Sequence, residues 1–300
     1  MSAHALNERL VGHLKTLHLP AIRESFEDEA MRATQESLSY EQYLFELADQ
    51  EVEMRRANRI ARFLRESRLP LEKGLDTFDL KRLSHKLCAQ VRVLLEGSFL
   101  ARKENVLAFG NPGSGKTHLL CAIARELVES GRRVLFTPCA LLVQDLLIAK
   151  RDLRLARALK KLGRYDALLI DDIGYVQQSR EEMEVLFSLL ADRYERTSVM
   201  LTSNLSFSKW ETIFKDPMTT AAAIDRLVHH SVILELNLPS YRLEQSEKQR
   251  TAEAKNETAE EPDERNHPSA NERSKTRGPQ SRQVRRARAS EGQGTTPAKG

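Results

Sequence analysis

The run Gly110-Asn111-Pro112-Gly113-Ser114-Gly115-Lys116-Thr117 carries the clearest chemistry in this sequence. Its glycines let the main chain wrap closely around an anion, because no Cβ intrudes. The loop amides and the N-terminus of a following helix then direct partial positive charge at that anion. Lys116 adds a full charge suited to β- and γ-phosphates, and the Thr117 hydroxyl suits a place on Mg²⁺. His118 follows directly and joins the expected nucleotide contacts. The pattern requires a strand before it and a helix after it. Val106–Phe109 reads as the strand, and Leu119, Leu120, Ile123 and Leu127 mark the helix. A chance match would lack these flanks, so the loop is expected to bind ATP with Mg²⁺.

Further along, Ala167-Leu168-Leu169-Ile170 reads as an apolar strand ending in Asp171 and Asp172. Acids at the carboxyl edge of such a sheet stand where ligands bind. Asp171 is expected to hold Mg²⁺ through water, and Asp172 to orient or deprotonate an attacking water; the bland alternative is two acids that merely end a strand. Val199–Ser203 is another apolar stretch, ending in Asn204. Its amide could donate to a γ-phosphate or hold the water, or could simply form a turn. Asp216-Pro217 starts a helix, with Asp as N-cap and Pro at the first position. That helix carries Arg226, whose planar, permanently charged guanidinium suits an arginine finger reaching a neighbour's γ-phosphate. Internal pairing, for example with Asp225, is the alternative.

These residues need a scaffold. Candidate strands are Asn105–Phe109, Arg133–Thr137, Ala167–Ile170, Ser198–Thr202 and Ser231–Leu236, separated by helical segments. Continuous apolar strands alternating with helices predict a three-layer α/β fold with a parallel sheet. Residues 1–70 read as an all-helical N-terminal domain. Leu10, Leu14 and Leu17 recur at helical spacing. Ser39-Tyr40-Glu41-Gln42 reads as a capping box before a long helix that ends at Pro70. Residues 71–79 read as a linker, 80–243 as the ATPase domain and 244–300 as a disordered tail, in which Val284 is the sole large aliphatic or aromatic residue after Leu243. The stretch Leu75–Leu83, with Phe78, is the candidate adenine contact.

Composition narrows the class. The chain has 300 residues, 40% hydrophobic and 30% charged, with a net charge of +4. That supports one core and a satellite domain, and it permits contact with nucleic acid. Cys88, Cys121 and Cys139 lie far apart, without metal-ligand spacing. No apolar run suits a signal or a membrane helix, so a cytoplasmic protein with no membrane partner is expected.

The phosphate loop, Asp171-Asp172-Ile173-Gly174, the Asn204 strand end and Arg226 follow the order of AAA+ ATPases. The Asp-Asp-Ile-Gly form resembles the branch that holds the DnaA initiator, the DnaC helicase loader and the IstB transposition helper. Leu17-His18-Leu19-Pro20, Leu38–Leu44, Glu53-Met54-Arg55-Arg56, Phe207-Ser208-Lys209-Trp210, Asp225–His230 and Ser240-Tyr241-Arg242 resemble IstB in particular. The resemblance spans about residues 10–242. It implies an ATP-dependent homo-oligomer on duplex DNA that assists a DDE-type transposase encoded by the same insertion sequence. It also implies the finger role for Arg226. Asn237-Leu238-Pro239 departs from the family's usual glycine there, which leaves a nucleotide-sensing role for Arg242 open.

Two basic helical stretches stand out: Arg55 to Arg68, and Lys150 to Arg164. In related initiators the second region contacts DNA, so Lys150, Arg151 and Arg154 are candidates for phosphate contact, which positions without reading sequence. A solvated charged face is the alternative. The runner-up reading of the whole chain is a DnaC-like helicase loader, and a more distant one is a small-molecule kinase on the same scaffold.

Overall fold

Five strands form one parallel sheet: β1 (Asn105–Gly110), β2 (Val134–Pro138), β3 (Ala167–Ile173), β4 (Ser198–Ser203) and β5 (Ser231–Leu236), in the order β2-β3-β4-β1-β5. The computed structural model describes residues 2–174, 179–214, 216–241, 243, 244 and 246. Arg242 and nearly all of the expected tail lie outside these residues. Of the described helices, none is long and apolar enough to cross a membrane.

The central strands β1, β3 and β4 are almost wholly buried, as their unbroken Val, Leu and Ile runs require of a sheet covered on both faces. One face carries α4 (His85–Leu95) and α6 (Lys116–Glu129), which contribute Leu87, Val91, Leu94, Leu120, Ile123 and Leu127 to one apolar cluster. The other carries α7 (Cys139–Arg151), α9 (Arg180–Arg193) and α11 (Pro217–Val228), with Leu142, Leu146, Leu186, Leu189, Trp210 and Leu227 in a second cluster. Each fully buried leucine contributes about 1.5–3 kcal/mol relative to exposure. Short helices α5 (Ser98–Ala101), α8 (Leu155–Leu162) and α10 (Glu211–Phe214) complete this part.

Sheet order, rather than chain order, assembles the site. β4 lies between β1 and β3, so the ends of these three strands stand side by side. Phe109 pairs in register with Ser203, and Ile170 with Leu201. The β3–β4 register then shifts between Ile170 and Ile173. Asp172 occupies that irregularity with φ 58°, a left-handed conformation that Asp tolerates better than most residues.

The N-terminal segment forms α1 (Ala3–Thr16), α2 (Pro20–Glu36) and α3 (Tyr40–Ser67). Pro20 stands in the first turn of α2, where its missing N–H costs nothing. The cap comes from another helix: Glu51 of α3, 4% exposed, accepts hydrogen bonds from the Ala21 and Ile22 amides at 2.9 and 3.3 Å. The Ser39 hydroxyl accepts from the Gln42 amide, one half of the expected box. A box with both bonds forms between Ser179 and Glu182, at the start of α9. α3 packs on α6 and β2, and Arg133 reaches Glu66 at 3.1 Å.

Candidate nucleotide-binding site

β1 runs into the glycine-rich loop at Gly110, with φ 152°, where an added Cβ would stand 2.3 Å from the Leu236 carbonyl oxygen. Only glycine lets β5 approach so closely. Gly115, at φ 93°, is the N-cap of α6. Lys116 is 5% exposed, and its Nζ donates to the Gly110 and Asn111 carbonyls at 2.8 and 2.9 Å. The ammonium is thus held inside the loop that it is expected to serve. The Ser114 hydroxyl oxygen is buried in the same loop without a hydrogen-bond partner among the described residues. Such a group is costly unless something polar meets it, and a phosphate oxygen would. The loop therefore fits a polyphosphate.

Three hydroxyl and carboxyl groups interlock beside it. Thr117 Oγ1 donates to Asp171 Oδ1 at 2.7 Å, and Thr202 Oγ1 donates to the same oxygen at 2.6 Å. The Asp172 amide donates to Thr202 Oγ1 at 2.8 Å. β4 thereby fixes both acids of β3. Thr117 and Asp171 offer hard oxygen donors, the chemistry Mg²⁺ prefers. Thr202 was not anticipated from sequence; the available signal was a hydroxyl at the end of a buried strand, next to the polar end already suspected.

Of these residues, Thr117 and Asp172 border a cavity of about 360 Å³, lined by Pro112 to His118 together with Asp172 and Asn204. That volume lies in the usual range for a small-molecule site. The far wall comes from the stretch read as a linker: Lys73, Thr77, Phe78 and Asp79, with Arg82, Leu238 and Tyr241. His118 Nε2 lies 3.0 Å from the Gly74 carbonyl and 3.0 Å from Thr77 Oγ1. A carbonyl can only accept, so Nε2 carries the proton. The Phe78 ring meets the His118 ring edge-on at 5.3 Å. Phe78 thus stands in the cavity wall.

Tyr241 lines the site without any expectation from sequence, and Arg82 does so from within the stretch 75–83, where Phe78 alone is singled out. Arg82 donates to the Pro239 carbonyl at 3.1 Å and to Glu244 at 2.9 Å, and lies 5.2 Å from the Tyr241 ring centre. The Tyr241 amide donates to the Gly113 carbonyl at 3.0 Å, which ties the segment after β5 to the phosphate loop. Burial pushes the Cys121 thiol, one turn into α6, up to about 12, so it is no nucleophile at neutral pH.

Arg226 stands outside this cavity. Its Nη1 donates to the Ala222 carbonyl at 3.1 Å, and its guanidinium lies 4.6 Å from the Phe187 ring centre on α9. The candidate DNA contacts also have company: Lys150 pairs with Glu184 at 2.7 Å and Arg151 with Glu181 at 4.0 Å. Arg154 is exposed at the start of α8.

A phosphate loop on β1, an acid-ended strand two places away across β4 and the β2-β3-β4-β1-β5 order define an α/β P-loop domain. Residues 12–249 match the family described as IstB-like ATP binding protein. The chain belongs to that family, and it is an ATP-binding protein. It is 43% identical to a "Putative insertion sequence ATP-binding protein" of Sinorhizobium fredii, over 76% of this chain and 77% of that one. It is 36% identical to the "Insertion sequence IS5376 putative ATP-binding protein" of Geobacillus stearothermophilus, over 82% of this chain and 99% of that one. Among solved structures it is similar to AMPPCP-bound DnaA from Aquifex aeolicus, at 20% identity and a TM-score of 0.49, over 62% of this chain and 56% of that one.

Proposed function

We propose that this chain is an ATP-hydrolysing, DNA-binding helper of transposition. It would assemble with ATP on duplex target DNA and assist the DDE-type transposase of its own insertion sequence, in the cytoplasm. The observation that carries the ATPase part is the interlocked set Thr117, Asp171 and Thr202 beside the phosphate loop. Thr117 and Asp171 would hold Mg²⁺, which supplies Lewis-acid charge to the phosphate oxygens. Lys116 would exchange its two loop carbonyls for β- and γ-phosphate oxygens. Asp172, exposed in the cavity, would take the proton of a water that attacks the γ-phosphorus as the bond to the ADP oxygen breaks. Asn204 would hold that water or the γ-phosphate.

Arg226 lies away from its own cavity, which supports action in a neighbour's site. ATP would then be the glue of the oligomer, since one subunit binds it and the next completes the site. For DNA, Arg154 offers the most accessible charge, while Lys150 and Arg151 would exchange Glu184 and Glu181 for phosphates. The relatives are named as ATP-binding proteins of insertion sequences, which supports the transposase as partner.

The test is electron microscopy and sedimentation of the full chain with duplex DNA. Ordered oligomers with a non-hydrolysable ATP analogue, absent with ADP, support the reading. A monomer under every condition overturns it.

A further inference from the structure

The geometry points to a divalent transition-metal site at the edge of the sheet opposite the phosphate loop, built from Glu195, His229 and His230. One ligand atom from each of these three side chains lies within 4.8 Å of the others. Two imidazoles and one carboxylate form the donor set that suits Zn²⁺ and its neighbours, whereas Mg²⁺ prefers oxygen alone. The six residues of β1 separate this cluster from the loop at Gly110, about 17–20 Å of strand.

Several features hold the three groups in place. Glu195 has φ 56°, a conformation that few non-glycine residues adopt and that must be imposed by its surroundings. It follows α9, whose last residue, Arg193, is 2% exposed and donates to the Leu162, Tyr165 and Ser198 carbonyls at 3.0, 3.2 and 2.9 Å. The turn that presents Glu195 is therefore anchored. On the other side, the His229 amide donates to the Asp225 carbonyl at 2.9 Å, and the His230 carbonyl accepts from the Asn105 amide at 2.7 Å. The two rings stand 4.2 Å apart. Tyr194 Oη lies 3.0 Å from His229 Nδ1, an outer partner of the kind that orients metal-binding imidazoles. All three ligands are exposed, which leaves the remaining coordination positions to water.

A metal here would join the end of α9 to the end of α11, less than one turn beyond Arg226. It would steady the finger helix without touching nucleotide. This inference stands apart from the proposed ATPase reading and can hold if that reading fails.

The test uses tag-free, chelator-treated, nucleotide-free full-length chain. Co²⁺ titration followed by visible absorption, with Zn²⁺ competition, should show one saturable site per chain of about micromolar affinity. Glu195→Gln and His230→Ala should each weaken it by about 10-fold or more. Imidazole NMR of the unaltered chain should show Zn²⁺ perturbing the His229 and His230 resonances together. No saturation below about 100 µM, affinity unchanged in both variants, or perturbation confined to other histidines overturns the site.

Discussion

The Thr117 hydroxyl donates to Asp171 across 2.7 Å, joining the phosphate loop to the acid end of a strand that is not its neighbour in the sheet. β4 fills the gap between them and adds its own hydroxyl, Thr202, to the same carboxylate oxygen at 2.6 Å. The proposed magnesium ligands are thus held by protein bonds of their own, so little reordering accompanies metal entry.

Thr202→Val tests that bridge. It keeps shape but removes the hydroxyl that serves both Asp171 and the Asp172 amide. Urea unfolding should show a loss of about 1–3 kcal/mol. Mg²⁺ should also be needed at higher concentration for ATP turnover. Unchanged stability and unchanged Mg²⁺ dependence would show the bridge to be incidental.

Asp172→Ala should bind ATP and assemble, yet turn over at about 1% of the parent rate or less, since general-base groups contribute on the order of 100-fold or more. Phosphate release at saturating ATP measures it. A rate near the parent's removes Asp172 from the chemistry.

Arg226→Ala separates cis from trans action. Alone it should bind ATP and hydrolyse poorly. Mixed with Lys116→Ala, which keeps the finger but lacks the loop lysine, it should regain part of the activity, because each chain supplies what the other lacks. Failure to recover in the mixture, with both variants still co-assembling, argues against a shared site.

The local parts of this site were legible because each is a short pattern. The glycine-rich loop, the apolar run ending in Asp171 and Asp172, and the Asp216-Pro217 helix start need only adjacent residues to be read. Asp216 does accept from the Thr219 amide at 2.7 Å. What was not legible depends on distant pairing. The insertion of β4 between β1 and β3 gives Thr202 its contacts, and nothing near Thr202 announces it. The stretch 71–79 reads as a linker because it lacks periodicity, yet Gly74 and Thr77 meet His118, and Thr77 lines the cavity. Arg82 finds Glu244 across most of the chain. Lys150 and Arg151 looked like a basic surface because Glu184 and Glu181 lie on another helix.

Glu51 gives the N-terminal helices a pH dependence. Burial raises its pKa, but hydrogen bonds from Arg55 and from the Ile22 and Ala21 amides outweigh that and hold it below the ordinary carboxylate value. A depressed folded-state value means stability that is present above the unfolded pKa and lost as pH falls through the folded one. The protection of the α2 amides, corrected for the intrinsic pH dependence of exchange, should therefore fall as the pH drops below about 4.5, and Glu51→Gln should flatten that dependence. An identical profile in the variant would assign the acid sensitivity elsewhere.

Whether residues 110–117 grasp the phosphates of ATP is decided by calorimetric titration of the purified chain with Mg-ATP. One saturable site per chain, lost in Lys116→Ala while the fold is retained, is the expected result. No saturable heat with the unaltered chain, or equal affinity in Lys116→Ala, would contradict it.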